Sequence, residues 1–178
     1  VMDHHVEHVP MGSRRLLYLP YLMGERTPHL DPDCRGVFFG LSAIHTQDDM
    51  LRAVMEGVGY SLTDCQDILR GMGIVVQEMM ACGGGGRSQL WRQMLADMYN
   101  CEVKTVSSKE GPALGAAILA GVGAGLFKSV VTACRDFIDT NTYCQPDPTA
   151  HAYYEKGHAL YQKLYRQLAG CYQDLATL

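Results

Sequence analysis

The chain has 178 residues, of which 47% are hydrophobic and 19% charged, and its formal net charge is −4. This is the size of one ordinary globular domain, with enough apolar material for a core. The mild acidity offers no clustered positive charge for nucleic acid or an anionic membrane surface, and the apolar content with aperiodic glycines excludes disordered and collagen-like chains.

Residues 1–12 open with Val1-Met2-Asp3-His4-His5-Val6-Glu7-His8, which has neither the basic nor the apolar stretch of a secretory signal. The segment reads as a mobile appendage. Its histidines with Glu7 are poorly ordered for a metal, since the pattern is not H-E-x-x-H. Leu16 to Leu22 is a run of strand type, with Pro20 pointing to an edge or an end. The long irregular stretch Met23 to Arg35 follows, and loops of that length inside a domain usually carry function.

From Thr46 the period becomes helical. Leu51, Val54, Met55, Val58, Leu62, Cys65 and Leu69 form one apolar stripe, with Asp48, Arg52, Glu56, Asp67 and Arg70 largely off it, and Thr46 with Asp49 is a capping signal. A strand is expected over Ile74 to Cys82 and a helix from near Ser88. A short strand follows over Glu102 to Val106, then a helix rich in small residues after Pro112. A shorter helix spans Ser129 to Ile138. A last long one starts at Asp147-Pro148, with Tyr153, Leu160, Tyr161, Leu164, Leu168, Cys171 and Leu175 at helical spacing. Strands alternating with helices predict an α/β architecture. No apolar run approaches the ~20 residues of a membrane span. Seven cysteines, at 34, 65, 82, 101, 134, 144 and 171 with no CxxC pair, suit free thiols in the reducing cytoplasm.

The sharpest local motif is Cys82-Gly83-Gly84-Gly85-Gly86-Arg87-Ser88-Gln89, where a strand enters a glycine turn and then a helix N-terminus. Backbone without Cβ atoms admits a ligand closely, and unpaired N–H groups at a helix start suit a phosphate. The spacing is neither a Walker A loop nor G-x-G-x-x-G, and a plain strand-to-helix turn explains it equally well. In the loop Gly24-Glu25-Arg26-Thr27-Pro28-His29-Leu30-Asp31-Pro32-Asp33, the charges either contact a ligand or are simply solvated. The tyrosines 153, 161, 165 and 172 read as helix packing rather than a stacking platform.

Several long segments together resemble a known family, the FGGY carbohydrate kinases, and within it most of all the members that act on xylulose. The resemblance is carried by Leu19 to His29, by Gly36-Val37-Phe38-Phe39-Gly40-Leu41 followed by Asp49 to Glu56, and by Gly83 to Trp91, Gln93 to Asp97 and Ala113 to Ala117. It implies an actin-like (ribonuclease H-like) ATPase domain on the C-terminal, nucleotide side, incomplete here and closed by a long C-terminal helix. Residues 1–12 are then unmatched, 13–145 form the domain and 146–178 the packing helix. The implied activity is transfer of the γ-phosphoryl of MgATP to D-xylulose, giving D-xylulose 5-phosphate. Gly84 and Gly85 are implied as contacts to the nucleotide and Gln89 as a side chain reaching the nucleoside, so a valine at Gly85 is expected to block ATP.

The same resemblance puts the catalytic Asp and most sugar contacts in an N-terminal domain outside this chain, so no catalytic residue is assigned here. The chain alone is expected to be inactive. Gly86 stands where Ala is commoner, a change expected to loosen the turn. Gluconate and other pentulose kinases are similar in the Gly24–Asp33 loop, and a non-catalytic actin-like binding module is the rival from another class. Expected partners are the sugar, the N-terminal part of the same enzyme and a second copy of the chain. In such domains the sheet order is 3-2-1-4-5, with Leu16–Leu22 expected as the third strand, Ile74–Cys82 as the fourth and Glu102–Val106 as the fifth.

Overall fold

The computed structural model describes residues 2–106, 111–138 and 140–178. Its elements in chain order are α1 (Met2–Val6), β1 (Leu17–Leu19), β2 (Val37–Phe39), α2 (Gln47–Gly71), β3 (Glu78–Ala81), a 3-10 turn (Gly85–Arg87), α3 (Gln89–Tyr99), β4 (Glu102–Val106), α4 (Gly111–Gly123), α5 (Val130–Phe137), β5 (Thr140–Cys144) and α6 (Pro148–Leu175). Among the described residues no helix is long and apolar enough to cross a membrane.

Helix α2 starts at a reciprocal cap. The Asp49 N–H donates to Thr46 Oγ1 at 3.3 Å, and Asp49 Oδ2 accepts from the Thr46 N–H at 2.8 Å. Arg14 Nε, 3.0 Å from Asp49 Oδ1, fastens the N-terminal segment to the same carboxylate. Helix α6 is capped by Asp147, which accepts from Thr149 and Ala150 N–H groups, and Pro148 takes the first helical position, where no N–H is missed.

Two sheets form. In the larger, the order is β3-β4-β5, with β3 parallel and β5 antiparallel to β4. In the smaller, β1 pairs antiparallel with β2, Leu17 opposite Phe39. Among the described residues Leu16–Leu22 does not join the larger sheet, which leaves strand three apart from strand four, as an order with strands one and two outside the chain requires. Pro20 lacks the N–H that would continue a ladder, and the loop beyond it folds back through reciprocal Glu25–Asp31 backbone bonds at 2.8 Å, bringing Val37–Phe39 alongside. The strand expected over Ile74–Cys82 shrinks to Glu78–Ala81. With β1 elsewhere, β3 has an unpaired edge among the described residues, where the 3-2-1-4-5 order places strand one.

Residues 2–12, set apart by the sequence reading as mobile, are packed onto the domain; Val1 lies outside the described residues. Val6 is fully buried against Met55 and Met94, because Val6, Val9 and Gly12 fall against the face of α2 that carries Arg52 and Glu56. That face overturns the expected pattern of α2. Arg52 and Glu56 are buried, while Leu62 and Leu69 are exposed and Val54 and Val58 only half-covered. Helix α6 keeps its period but shifts its phase, burying Tyr154 and Tyr172 and leaving Tyr153 and Leu160 exposed.

The exposed Leu62, Ile68, Leu69, Ile74, Val75 and Met80 lie on α2 and on the segment leading into and through β3, whose edge is open. Open edges and apolar patches associate. The isolated 178-residue chain is therefore expected to elute as oligomers or aggregates in size-exclusion chromatography with light scattering. Co-expression with the N-terminal part of its protein should return a single 1:1 species. Asp49 gives a second test. Against the desolvation that would raise it, the Thr46 and Arg14 hydrogen bonds hold its carboxyl below the ordinary 3.8. Its stabilisation is thus fully present above pH 3.8 and lost as pH falls through the depressed value. Asp49→Asn should cost about 1–2 kcal/mol at pH 7 in chemical denaturation, and the gap to the parent should close only below about pH 4.

Candidate functional site

The C-terminal end of β3 runs through Cys82 into the four-glycine turn. Gly83 has φ +74°, a conformation that favours glycine. A Cβ on Gly85 would run into the Trp91 ring, and one on Gly86 would lie 2.5 Å from the Ala81 carbonyl oxygen. At Gly84, in helical geometry with φ −62°, a Cβ would meet nothing within 4 Å. The glycines therefore divide. Gly85 and Gly86 are required by their close neighbours and Gly83 by its backbone conformation, whereas Gly84, in ordinary helical geometry, leaves its backbone open to whatever approaches.

The turn is braced from inside. Arg92, buried on α3, donates through Nη1 to the Gly86 carbonyl at 2.6 Å, which fastens the turn to the helix that follows it. Ser88 caps α3, its Oγ accepting from the Trp91 N–H at 3.0 Å and donating to Asp3 Oδ1 at 2.7 Å. Together these groups wall a cavity of about 530 Å³, with Gly84, Gly85, Arg87 and Ser88 on one side and Val54, Met55, Val58 and Trp91 on the other. An exposed guanidinium, open backbone and a helix N-terminus make the first side suited to an anionic group. The second is an apolar wall.

Of the residues singled out from sequence, Gly84 and Gly85 come together in this cavity. Gln89 is the first residue of α3, exposed and outside the lining. Gln93 and Asp97 face the other way. Asp97 Oδ1 accepts from Gln93 Nε2 at 2.8 Å and from the Asp147 N–H at 2.9 Å, anchoring the start of α6, and burial raises the Asp97 carboxyl above its ordinary range. The first turn of α4 lines a separate apolar cavity of about 540 Å³ that Cys82 also touches. Asp3, Val54, Val58 and Arg87 were not anticipated as lining. Only the regular spacing of Val54 and Val58 carried a signal, and Asp3 carried none.

The Gly24–Asp33 loop spends much of its charge on itself. Glu25 Oε1 accepts from the Arg26 and Thr27 N–H groups. Asp31 accepts from the Asp33 and Cys34 N–H groups and from the Tyr165 hydroxyl at 2.9 Å. Against a desolvation that would raise it, these bonds hold the Asp31 carboxyl below its usual value. His29 stacks on Tyr165 at 3.6 Å, fixing the loop to α6, and burial lowers its imidazole pKa.

Comparison with known proteins defines the class. Residues 4–124 match the model of the FGGY family of carbohydrate kinases, C-terminal domain, and the chain belongs to that family. It is 41% identical over 168 residues to a xylulose kinase of Staphylococcus epidermidis, covering 94% of this chain and 34% of that protein. Among solved structures it superposes on the ligand-bound xylulose kinase of Lactobacillus acidophilus with a TM-score of 0.89 and 32% identity, covering 98% of this chain and 35% of that one. It superposes on the gluconate kinase of the same organism with a TM-score of 0.87 and 31% identity, again over 98% and 35%. The fold is that of the actin-like sugar kinases, and the chain spans about a third of its relatives' length.

Alanine at the two middle glycines separates fold from ligand. Gly85→Ala should destabilise by about 1–3 kcal/mol through the Trp91 clash. Gly84→Ala should be neutral or stabilise by about 0.4–1 kcal/mol. Thermal denaturation of both variants in the absence of ligand measures the difference.

Proposed function

We propose that this chain is the nucleotide-binding part of an ATP-dependent sugar kinase that phosphorylates D-xylulose to D-xylulose 5-phosphate. The observation that carries the reading is Gly84: open backbone between Arg87 and the N-terminus of α3, in a chain of the carbohydrate kinase family. Bound ATP would supply the γ-phosphoryl. The chain's own part is positioning, which phosphoryl transfer needs more than covalent chemistry. Gly84 and Gly85 admit the phosphates to the backbone, Arg87 offsets their charge, and Gln89, exposed at the start of α3, reaches the nucleoside. Val54, Val58 and Trp91 keep water from one side.

Asp3, the one carboxylate among the described lining residues, is bonded by the Ser88 hydroxyl. The family resemblance assigns the proton of the attacking hydroxyl to a catalytic Asp in the N-terminal part of the protein. The seven free thiols suit the cytoplasm. The gluconate kinase likeness supports a second reading in which only the sugar changes.

A coupled ADP-release assay of the complete protein against xylulose, ribulose and gluconate tests this. The highest kcat/KM is expected for xylulose; gluconate in first place selects the second reading. In the same assay Gly84→Val should raise the ATP KM at least tenfold, about 1.4 kcal/mol, with the sugar KM little changed. An unchanged ATP KM would remove the turn from the nucleotide site. ADP release by the 178-residue chain alone would overturn the division of labour.

A further inference from the structure

Away from the glycine turn, α2 and α6 bring a second set of chemical groups together. Asp64 and Asp67 are one helical turn apart on α2, and His158 reaches them from α6. One ligand atom of each lies within 4.8 Å of the others. Asp64 is 95% buried, with 5% of its surface exposed. Its Oδ1 accepts from His158 Nε2 at 2.8 Å and from Gln162 Nε2 at 2.7 Å. Its Oδ2 is buried with no hydrogen-bond partner, and the nearest imidazole nitrogen, His29 Nε2, stands off at 3.8 Å. A buried carboxylate oxygen without a donor is costly unless something else neutralises it.

We propose that Asp64, Asp67 and His158 form a site for one divalent transition-metal ion of the Zn²⁺ type, clamping α6 to α2. The donor set is mixed. Two carboxylates and an imidazole, with a second imidazole facing the free oxygen, suit Zn²⁺, Co²⁺ or Mn²⁺ better than Mg²⁺ or Ca²⁺, which prefer oxygen alone. Arg70 Nη1 holds Asp67 Oδ1 at 3.2 Å, while Oδ2 lies 3.9 Å from His158 Nδ1 and accepts weakly from the Gln162 amide at 3.5 Å, a donor the ion would displace. Ligands of a tetrahedral ion with bonds of about 2 Å lie about 3.3 Å apart. The half-exposed Asp67 side chain can supply the small closure this requires. A cavity of about 440 Å³ reaches Asp64, Asp67 and Gln162 from one side, and a second of about 350 Å³ reaches Asp67 and His158 from the other. His4, Glu7 and His8 are also within 4.8 Å of one another, but all three are exposed and no buried group points at them.

The test uses the complete protein, free of any histidine tag, stripped with chelator and titrated with Zn²⁺ in excess Mg²⁺. Calorimetry should give one tight Zn²⁺ per chain, and Zn²⁺ should raise the thermal midpoint. Affinity should fall at least tenfold in Asp67→Asn and in His158→Gln, and stay unchanged in a His4→Ala/His8→Ala variant. Co²⁺ should give a visible absorption band that His158→Gln abolishes. Should His158→Gln fail to fold, Asp67→Asn, at the cavity mouth, decides alone. No Zn²⁺ binding, binding indifferent to Asp67 and His158, or binding lost with His4 and His8 would each overturn the site and leave the cluster holding only protons.

Discussion

A buried ion pair sets the rest of this structure in place. Arg52 and Glu56, one turn apart on α2, are both shielded from water and joined at 2.9 Å. Glu56 also accepts from the Gly12 N–H at 3.0 Å, the Ser13 hydroxyl at 3.0 Å and the Tyr154 hydroxyl at 3.3 Å. Arg52 donates to the Val9 carbonyl at 2.7 Å and to the Tyr154 hydroxyl at 3.1 Å. Burial pushes the Glu56 carboxyl upward, and the four groups facing it all donate, an arrangement that suits the anion. Removing one member of such a pair leaves an uncompensated charge, typically at about 3–5 kcal/mol. Three separate segments, residues 9–13, α2 and α6, converge on these two side chains.

That convergence fixes which face of α2 looks inward. Once Arg52 and Glu56 are committed to the N-terminal segment and α6, the stripe through Val58, Leu62 and Leu69 must point the other way. It has little of this chain to cover it. The free edge of β3 and the exposed Ile74, Val75 and Met80 accompany it. One constraint thus accounts for a polar side chain network in the core and an apolar surface outside it. Both make sense in a chain that spans only about a third of its relatives' length.

The same constraint marks where the sequence was readable. The caps of α2, α3 and α6 lie in local patterns at Thr46, Ser88 and Asp147, and these helices begin where those patterns put them. The glycine turn was legible because a strand, four glycines and a helix start are consecutive. What could not be read depends on partners distant in sequence. Periodicity alone assigns an apolar stripe to the inside, and here the Arg52–Glu56 pair, bonded to residues 9–13 and α6, reverses that assignment. The β1–β2 pair depends on a loop folding through Glu25 and Asp31. In α6 the register turns on Tyr154 rather than Tyr153, a choice made by Glu56 and Arg52 almost a hundred residues away. Asp3 enters the cavity through a bond to Ser88 that nothing in either local sequence announces.

The glycine turn is held in one conformation by its neighbours. From sequence, the four glycines read as a turn whose bare backbone admits a ligand closely. In the structure Trp91 fills the space beside Gly85, the Ala81 carbonyl closes on Gly86, and Arg92 fastens the Gly86 carbonyl from below. A turn held this way needs little reordering when a ligand arrives, so less of the binding free energy is lost to fixing it. Rigidity comes from Gly85 and Gly86 with their side-chain neighbours, and access from Gly84, whose Cβ position is empty. Separating those two roles turns a common motif into a specific site, because only at Gly84 does added bulk report on the ligand without first disturbing the fold.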